Sequence, residues 1–469
     1  MVSIHIFTGP TLSRVDVLRE IDTAHVHGPV SHGDLLRLNL GTGDLALLID
    51  GLYHHHAPVR HKEILEVMAN GATVVGAASM GALRAAELHQ YGMIGIGRVF
   101  EMYRDGVIDS DDEVAVVHTP LPECRRLSEA LVNIRHGVSV CVEDEVLTGP
   151  EAEEIFRVAK ELPYSTRRWA VVEHVVSGRH PTLRRAVQAA RAFLADHPEH
   201  ANLKLRDAAL AIQRVRSGTL SSSRPSSEDW RRSADWRTVY LRDWIGEFTG
   251  VEVAGAHVGH AAVLRYQQIY DRDFPQRWER YVLERIARSA EDTSGTHNHT
   301  RDRALAVARS KNVVVHRMSA EQRSEWLTPN EEEKYSEDEA MIRVLVRASR
   351  FSLDFSRPEV VDGALLRRTQ DTRSRIAEVS ALNHELASRN PAMHIDNLRF
   401  DKLREHLAEV WGLDPHDGDR DLTAAARDRG LSSLTEAVAA ARPFFLLSHT
   451  RTRARYHSGT VSAEREIHA

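Results

Sequence analysis

The chain has 469 residues, too many for one ordinary hydrophobic core, so two or three domains are expected. Hydrophobic residues make up 42% and charged residues 27%, a soluble globular balance, and the net charge of −6 gives no general attraction to nucleic acid. Cys124 and Cys141 are the only cysteines, which excludes a disulfide framework or an all-cysteine zinc site and reads as two inert thiols. The first residues read as a strand and not a signal peptide, and no run approaches the roughly 20 apolar residues of a membrane helix. A cytoplasmic protein without a membrane partner is expected.

In chain order, Val2–Phe7 reads as a strand, closed by the Gly9-Pro10 turn and a helix over Leu12–Ile21. Asp44–Ile49 is a second strand, ending at Asp50-Gly51, and a helix over Val59–Ala69 follows. Ala72–Ala77 is a third strand that runs into a helix over Ser79–Gln90, and Glu113–His118 reads as one more strand. Short apolar runs alternating with amphipathic helices predict an α/β fold with a mainly parallel sheet and flanking helices. After Pro150 the pattern becomes helical, with helices near Glu151–Lys160, Leu183–Ala195 and Leu203–Arg216. A Ser-rich break over Ser217–Ser227 and a polar break over Glu291–Arg303 divide the remainder. The expected domains are therefore an α/β core over 1–215, an aromatic-rich helical region over 228–290 and a helical C-terminal region over 303–448, with a frayed tail from His449.

The sharpest local feature is Gly76-Ala77-Ala78-Ser79-Met80-Gly81. A buried strand ends, one serine follows among small residues, and a helix begins at once. Ala77-x-Ser79-x-Gly81 is a variant of the nucleophile elbow, in which a tight turn lifts a hydroxyl out of the sheet and the helix N-terminus faces a developing oxyanion. A plain helix cap also suits the serine. Six histidines in this region, including His54, His55, His56, His61 and His118, leave a Ser-His-Asp triad open. Lys62 is the better-placed base, because the start of its helix and the Ser79 turn both follow strand C-terminal ends, which gather at one edge of a parallel sheet. To act as a base it must be largely neutral near pH 7, a demand of about 4 kcal/mol that burial and the helix dipole would have to meet. Asp50 orients substrate or caps its loop, and Arg84 and Glu87 are spaced to pair with each other. The acidic run from Asp109 to Glu113 is a solvated turn or a docking surface. His54-His55-His56 lacks helical ligand spacing, so no metal and no cofactor are predicted.

At these residues the chain resembles the TfuA family. The matching strings are FTGPTL from Phe7, Asp50-Gly51, HKEIL from His61, GAASMGALRAAEL from Gly76, Gly92-Met93, YRDG from Tyr103, DDEVAVVH from Asp111 and ALVNIR from Ala130. The resemblance covers about residues 1–215. It implies a partner of a YcaO enzyme in peptide backbone thioamidation, in ribosomal peptide natural-product biosynthesis. It also implies a Ser–Lys hydrolase, falling here on Ser79 and Lys62, that releases sulfide from a thiocarboxylated ThiS-like sulfur-carrier protein. Asp50, His61, Gly81, Arg84, Glu87 and His118 are the supporting residues, and Arg84 and Arg60 are the local cations for the anionic thiocarboxylate. The further partner is the precursor peptide, reached through YcaO; nucleic acid is not expected. The alternatives are a non-catalytic scaffold that recruits YcaO and precursor peptide, and a nucleotide module using Gly9-Pro10-Thr11, which lacks the phosphate-loop spacing.

Overall fold

The computed structural model describes residues 3–53, 56–120, 123–220, 228–231, 236–289, 300–350, 353, 355, 361, 363–414 and 418–446. The chain forms two compact units, Met1–Leu241 and Arg242–Ala469. Most of the Ser-rich and second polar breaks, His54, His55 and the tail from His449 lie outside the described residues.

The first unit is built on a five-stranded parallel sheet of order β2-β1-β3-β4-β5. Its strands are β1 (Ile4–Phe7), β2 (His25–His27), β3 (Leu45–Leu48), β4 (Thr73–Ala77) and β5 (Ile94–Ile96). The alternation along each central strand divides the core into two layers. Phe7, Ala46, Leu48 and Val74 face one side with residues of α3 (His61–Ala69), α4 (Met80–Leu88) and α5 (Arg98–Arg104). Ile6, Leu47, Val75 and Ala77 face the other with Val17 of α1 (Arg14–Glu20) and Ala208, Ala211 and Ile212 of a helix over Leu203–Ser217. Strands covered on both faces read as near-continuous apolar runs, which is why β1, β3 and β4 are visible in the sequence. A satellite core of Leu131, Ile134, Ile155, Val172 and Val187 joins the helices Leu131–Glu143, Gly149–Glu161, Trp169–Arg179 and Arg184–Asp196.

One expected strand is corrected. Glu113–His118 starts on the last residue of a 3-10 turn over Asp111–Glu113 and makes a single bridge, from His118 to Arg126. Val117 N–H donates to the Ser128 hydroxyl at 2.7 Å, so its backbone is met by a loop and not by the sheet. The last strand is instead β5, a three-residue segment containing Gly95.

The second unit is mostly helical, with one two-stranded hairpin over Gly250–Val253 and Ala256–Gly259. Arg347, on the Glu337–Ala348 helix, is its buried electrostatic centre. It grips Glu331 at 2.6 and 2.7 Å and Asp428 at 2.8 Å through both arms of its guanidinium. No described helix in either unit is long and apolar enough to cross a membrane.

Candidate functional site

Only Ala78 and Ser79 separate the end of β4 from the start of α4. Ser79 N–H donates to the Ala77 carbonyl at 2.7 Å across Ala78, whose φ is +64°. This is a γ-turn of the rarer, strained hand. Ser79 occupies the N-cap position of α4, yet its hydroxyl makes no capping hydrogen bond, so the ordinary use of a serine here is unfilled. The residue is 4% exposed.

Glycine makes the turn possible by letting three backbones touch. A Cβ on Gly81 would lie 1.8 Å from the Leu48 carbonyl oxygen, and one on Gly76 would lie 2.0 Å from that of Gly81. Gly81 N–H also donates to Ile49 at 3.3 Å. The Ser79 turn is thus pressed against the C-terminal end of β3.

That end carries Asp50, at the point where the strand order changes direction between β1 and β3, the usual ligand crevice of a doubly wound sheet. Its carboxylate accepts Gly9 N–H and Thr11 N–H, both at 2.9 Å, and the Thr11 hydroxyl at 2.6 Å. Asp50 therefore ties down the loop after β1 instead of capping its own. The N–H groups that a phosphate would need are taken, which argues against the nucleotide module. Beneath lies Lys204, 3% exposed, whose amine donates to the Val114 carbonyl at 2.9 Å and stands 4.0 Å from Asp50. Burial pushes this amine below the ordinary lysine range, and the Asp50 charge opposes the shift. A cleft of about 630 Å³ opens beside the loop, lined by Thr8, Gly9, Ser13, Arg14, Cys124 and Arg126.

Lys62 stands in the first turn of α3, and its amine donates to the Trp236 carbonyl at 2.6 Å. Among the described residues no hydrogen bond joins it to Ser79. His61, Arg84 and Glu87 form one cluster. Glu87 accepts from Arg84 at 2.6 Å and lies 2.8 Å from His61, while Arg84 also donates to the Val59 carbonyl at 3.1 Å. Burial raises the Glu87 carboxyl, but His61 and Arg84 outweigh it and hold the group below the usual range. The expected Arg84–Glu87 pair is therefore present, and it clamps α4 to the start of α3. His118 is brought to Cys124, with Nδ1 3.4 Å from Sγ and 2.8 Å from the Thr119 carbonyl. Both cysteines are free and buried, and burial pushes each thiol up to about 11. Two members of the acidic run pair with arginines, Asp112 with buried Arg167 and Glu113 with Arg135, while Asp109 and Asp111 stay exposed.

Sequence reasoning missed three features. Lys204 carried a signal, a rare lysine between two leucines at a helix start. Tyr53 places its hydroxyl in a buried position without a partner among the described residues, and burial raises it above the ordinary phenol range. Trp236 and Arg237, far along the chain, carried no signal for the company they keep. Among the described residues no group of three or more His, Cys, Asp or Glu side chains is arranged to hold a metal ion.

Residues 50–168 match the family model described as TfuA-like protein. No curated protein matches the chain.

Proposed function

We propose that this chain, whose residues 50–168 match the TfuA-like family associated with YcaO thioamidation systems, hydrolyses a thiocarboxylated ThiS-like carrier protein to supply sulfide to a YcaO enzyme. The observation that carries this reading is the strained turn that presents an uncapped Ser79 hydroxyl at a helix N-terminus on the C-terminal edge of the sheet. In the proposed step the Ser79 oxygen attacks the thiocarboxylate carbon while Lys62 takes the hydroxyl proton. The carbon–sulfur bond breaks, the proton passes to the departing sulfur, and hydrosulfide leaves an acyl-serine. Water then cleaves the ester to give the carboxylate and the free serine. Gly81 N–H is already engaged by the Ile49 carbonyl, so the oxyanion donor in this reading is the Met80 N–H at the start of α4.

For Lys62 to act on Ser79 its amine must leave the Trp236 carbonyl. That engagement favours a second reading, a scaffold that helps YcaO hold its precursor peptide without chemistry of its own. Sulfide release from a thiocarboxylated carrier separates the two. Ser79→Ala should lower the rate by about 10³-fold or more while carrier binding persists, and Lys62→Ala should be comparably impaired. Release at the wild-type rate from Ser79→Ala would leave only the scaffold.

A further inference from the structure

Trp236 and Arg237 lie against α3 within the first unit, and each is held by a charged residue on one face of that helix. The Trp236 carbonyl accepts from the Lys62 amine at 2.6 Å. The Arg237 guanidinium meets the Glu66 carboxylate at 2.9 and 3.2 Å, a two-pronged contact. Glu66 has a side chain only 4% exposed, whereas that of Arg237 is 34% exposed. A buried carboxylate one helical turn from a lysine is thus supplied with its cation by a partly solvated residue from a segment distant in sequence. The Trp236 ring packs on the apolar layer of α3 and α4 and makes an edge contact with Trp230, centroids 5.7 Å apart, and Trp230 does the same with Tyr91. Among the described residues, the indole N–H groups of both tryptophans are buried without a hydrogen-bond partner.

We infer that Trp236-Arg237 is an internal occupant of a peptide-binding surface, and that the displacing partner is an extended segment with the same chemistry, a backbone carbonyl for Lys62 followed by an arginine for Glu66. The two-pronged contact selects arginine over lysine, because only a planar guanidinium offers both donors at fixed spacing. Occupancy by the chain itself holds the Lys62 amine on a carbonyl; replacement or release exposes it. The consequence for catalysis rests on the Ser79–Lys62 reading, but the surface itself does not.

The test uses the full chain and the capped pentapeptide Trp-Arg-Thr-Val-Tyr, the sequence of residues 236–240. Acetylation of Lys62 by acetic anhydride, followed by mass spectrometry, should rise about tenfold in Arg237→Ala over the wild type as the occupied population falls. Adding the pentapeptide should return labelling toward the wild-type level. The same peptide with citrulline for arginine should not, nor should the original peptide protect a Glu66→Gln/Arg237→Ala protein. If Arg237→Ala loses its circular-dichroism melting transition, Arg237→Lys serves instead, with labelling expected to rise about twofold or more. Unchanged labelling in a folded variant overturns the inference, as does equal protection by the citrulline peptide. Ser79→Ala should label like the wild type. Failure of sulfide release alongside the expected labelling pattern would therefore count against the hydrolase and not against this surface.

Discussion

Gly81 has no room for a side chain, because a Cβ there would stand 1.8 Å from the Leu48 carbonyl oxygen, an atom fixed in the core of the sheet. Backbone cannot yield as a flexible side chain can. Gly81→Ala should therefore cost about 3 kcal/mol or more and lower the melting temperature sharply. Ala78 is the opposite case. Its φ of +64° is unfavourable for an L-residue by about 1 kcal/mol, whereas glycine adopts it freely. Ala78→Gly should leave stability unchanged or slightly higher by calorimetry. A loss comparable to that of Gly81→Ala would contradict the turn described here. Alanine in place of the easier glycine gives a more rigid support to the next residue, whose hydroxyl is the proposed nucleophile.

The β1–β2 pair forms an edge with a pH response of its own. His5 Nδ1 lies 3.0 Å from His27 Nε2, and the His5 ring stacks on both His25 and His27. Burial, then the neighbouring imidazoles, push His5 down to about 4, and His27 is lowered for the same reasons. The unfolded chain thus takes protons near pH 6.5 that the folded chain refuses until about pH 4. Stability contributed by neutral His5 is complete above pH 6.5 and is lost as pH falls through that window, by roughly 2 kcal/mol after solvent screening. Asp207, which accepts Val99 N–H at the start of α5 and is pushed up to about 6 by burial, acts in the opposite sense. The clean measurement is therefore a comparison: His5→Gln should lose less stability than the wild type between pH 7 and pH 4 in urea titrations. In the second unit, Arg347 binds two carboxylates from a buried position. Arg347→Ala leaves Glu331 without its cation and Asp428 with only Arg343 at 3.9 Å, and should cost about 3–5 kcal/mol.

The division into two compact units makes a prediction for the whole chain. A fragment ending at residue 238 keeps Trp230, Trp236 and Arg237 against the first unit, whereas one ending at 220 removes them and leaves the buried Glu66 carboxylate without its guanidinium. The longer fragment should melt about 5 °C or more above the shorter one. Equal melting temperatures would mean that the 230–237 segment contributes nothing to the first unit.

Much of the α/β core was legible because its signals are local. β1, β3 and β4 are apolar runs that both faces of the sheet cover, and the Ser79 turn shows as small residues between a strand and a helix. β2 and β5 escaped notice because three-residue strands reading His-Val-His and Ile-Gly-Ile carry too little apolar pattern. The extended stretch before His118 misled for the converse reason: its residues favour a strand, but pairing is decided by which backbone lies beside it. Long-range charge was hidden in the same way. Nothing in the neighbours of Glu66 announces Arg237, and nothing near Asp50 announces Lys204, because these partners are more than a hundred residues apart and meet only when helices pack. Periodicity and turn chemistry act between neighbours in the chain and can be read from it. Which carboxylate neutralises which cation, and whether a hydroxyl or an amine is already engaged, depends on distances that exist only after the chain has folded.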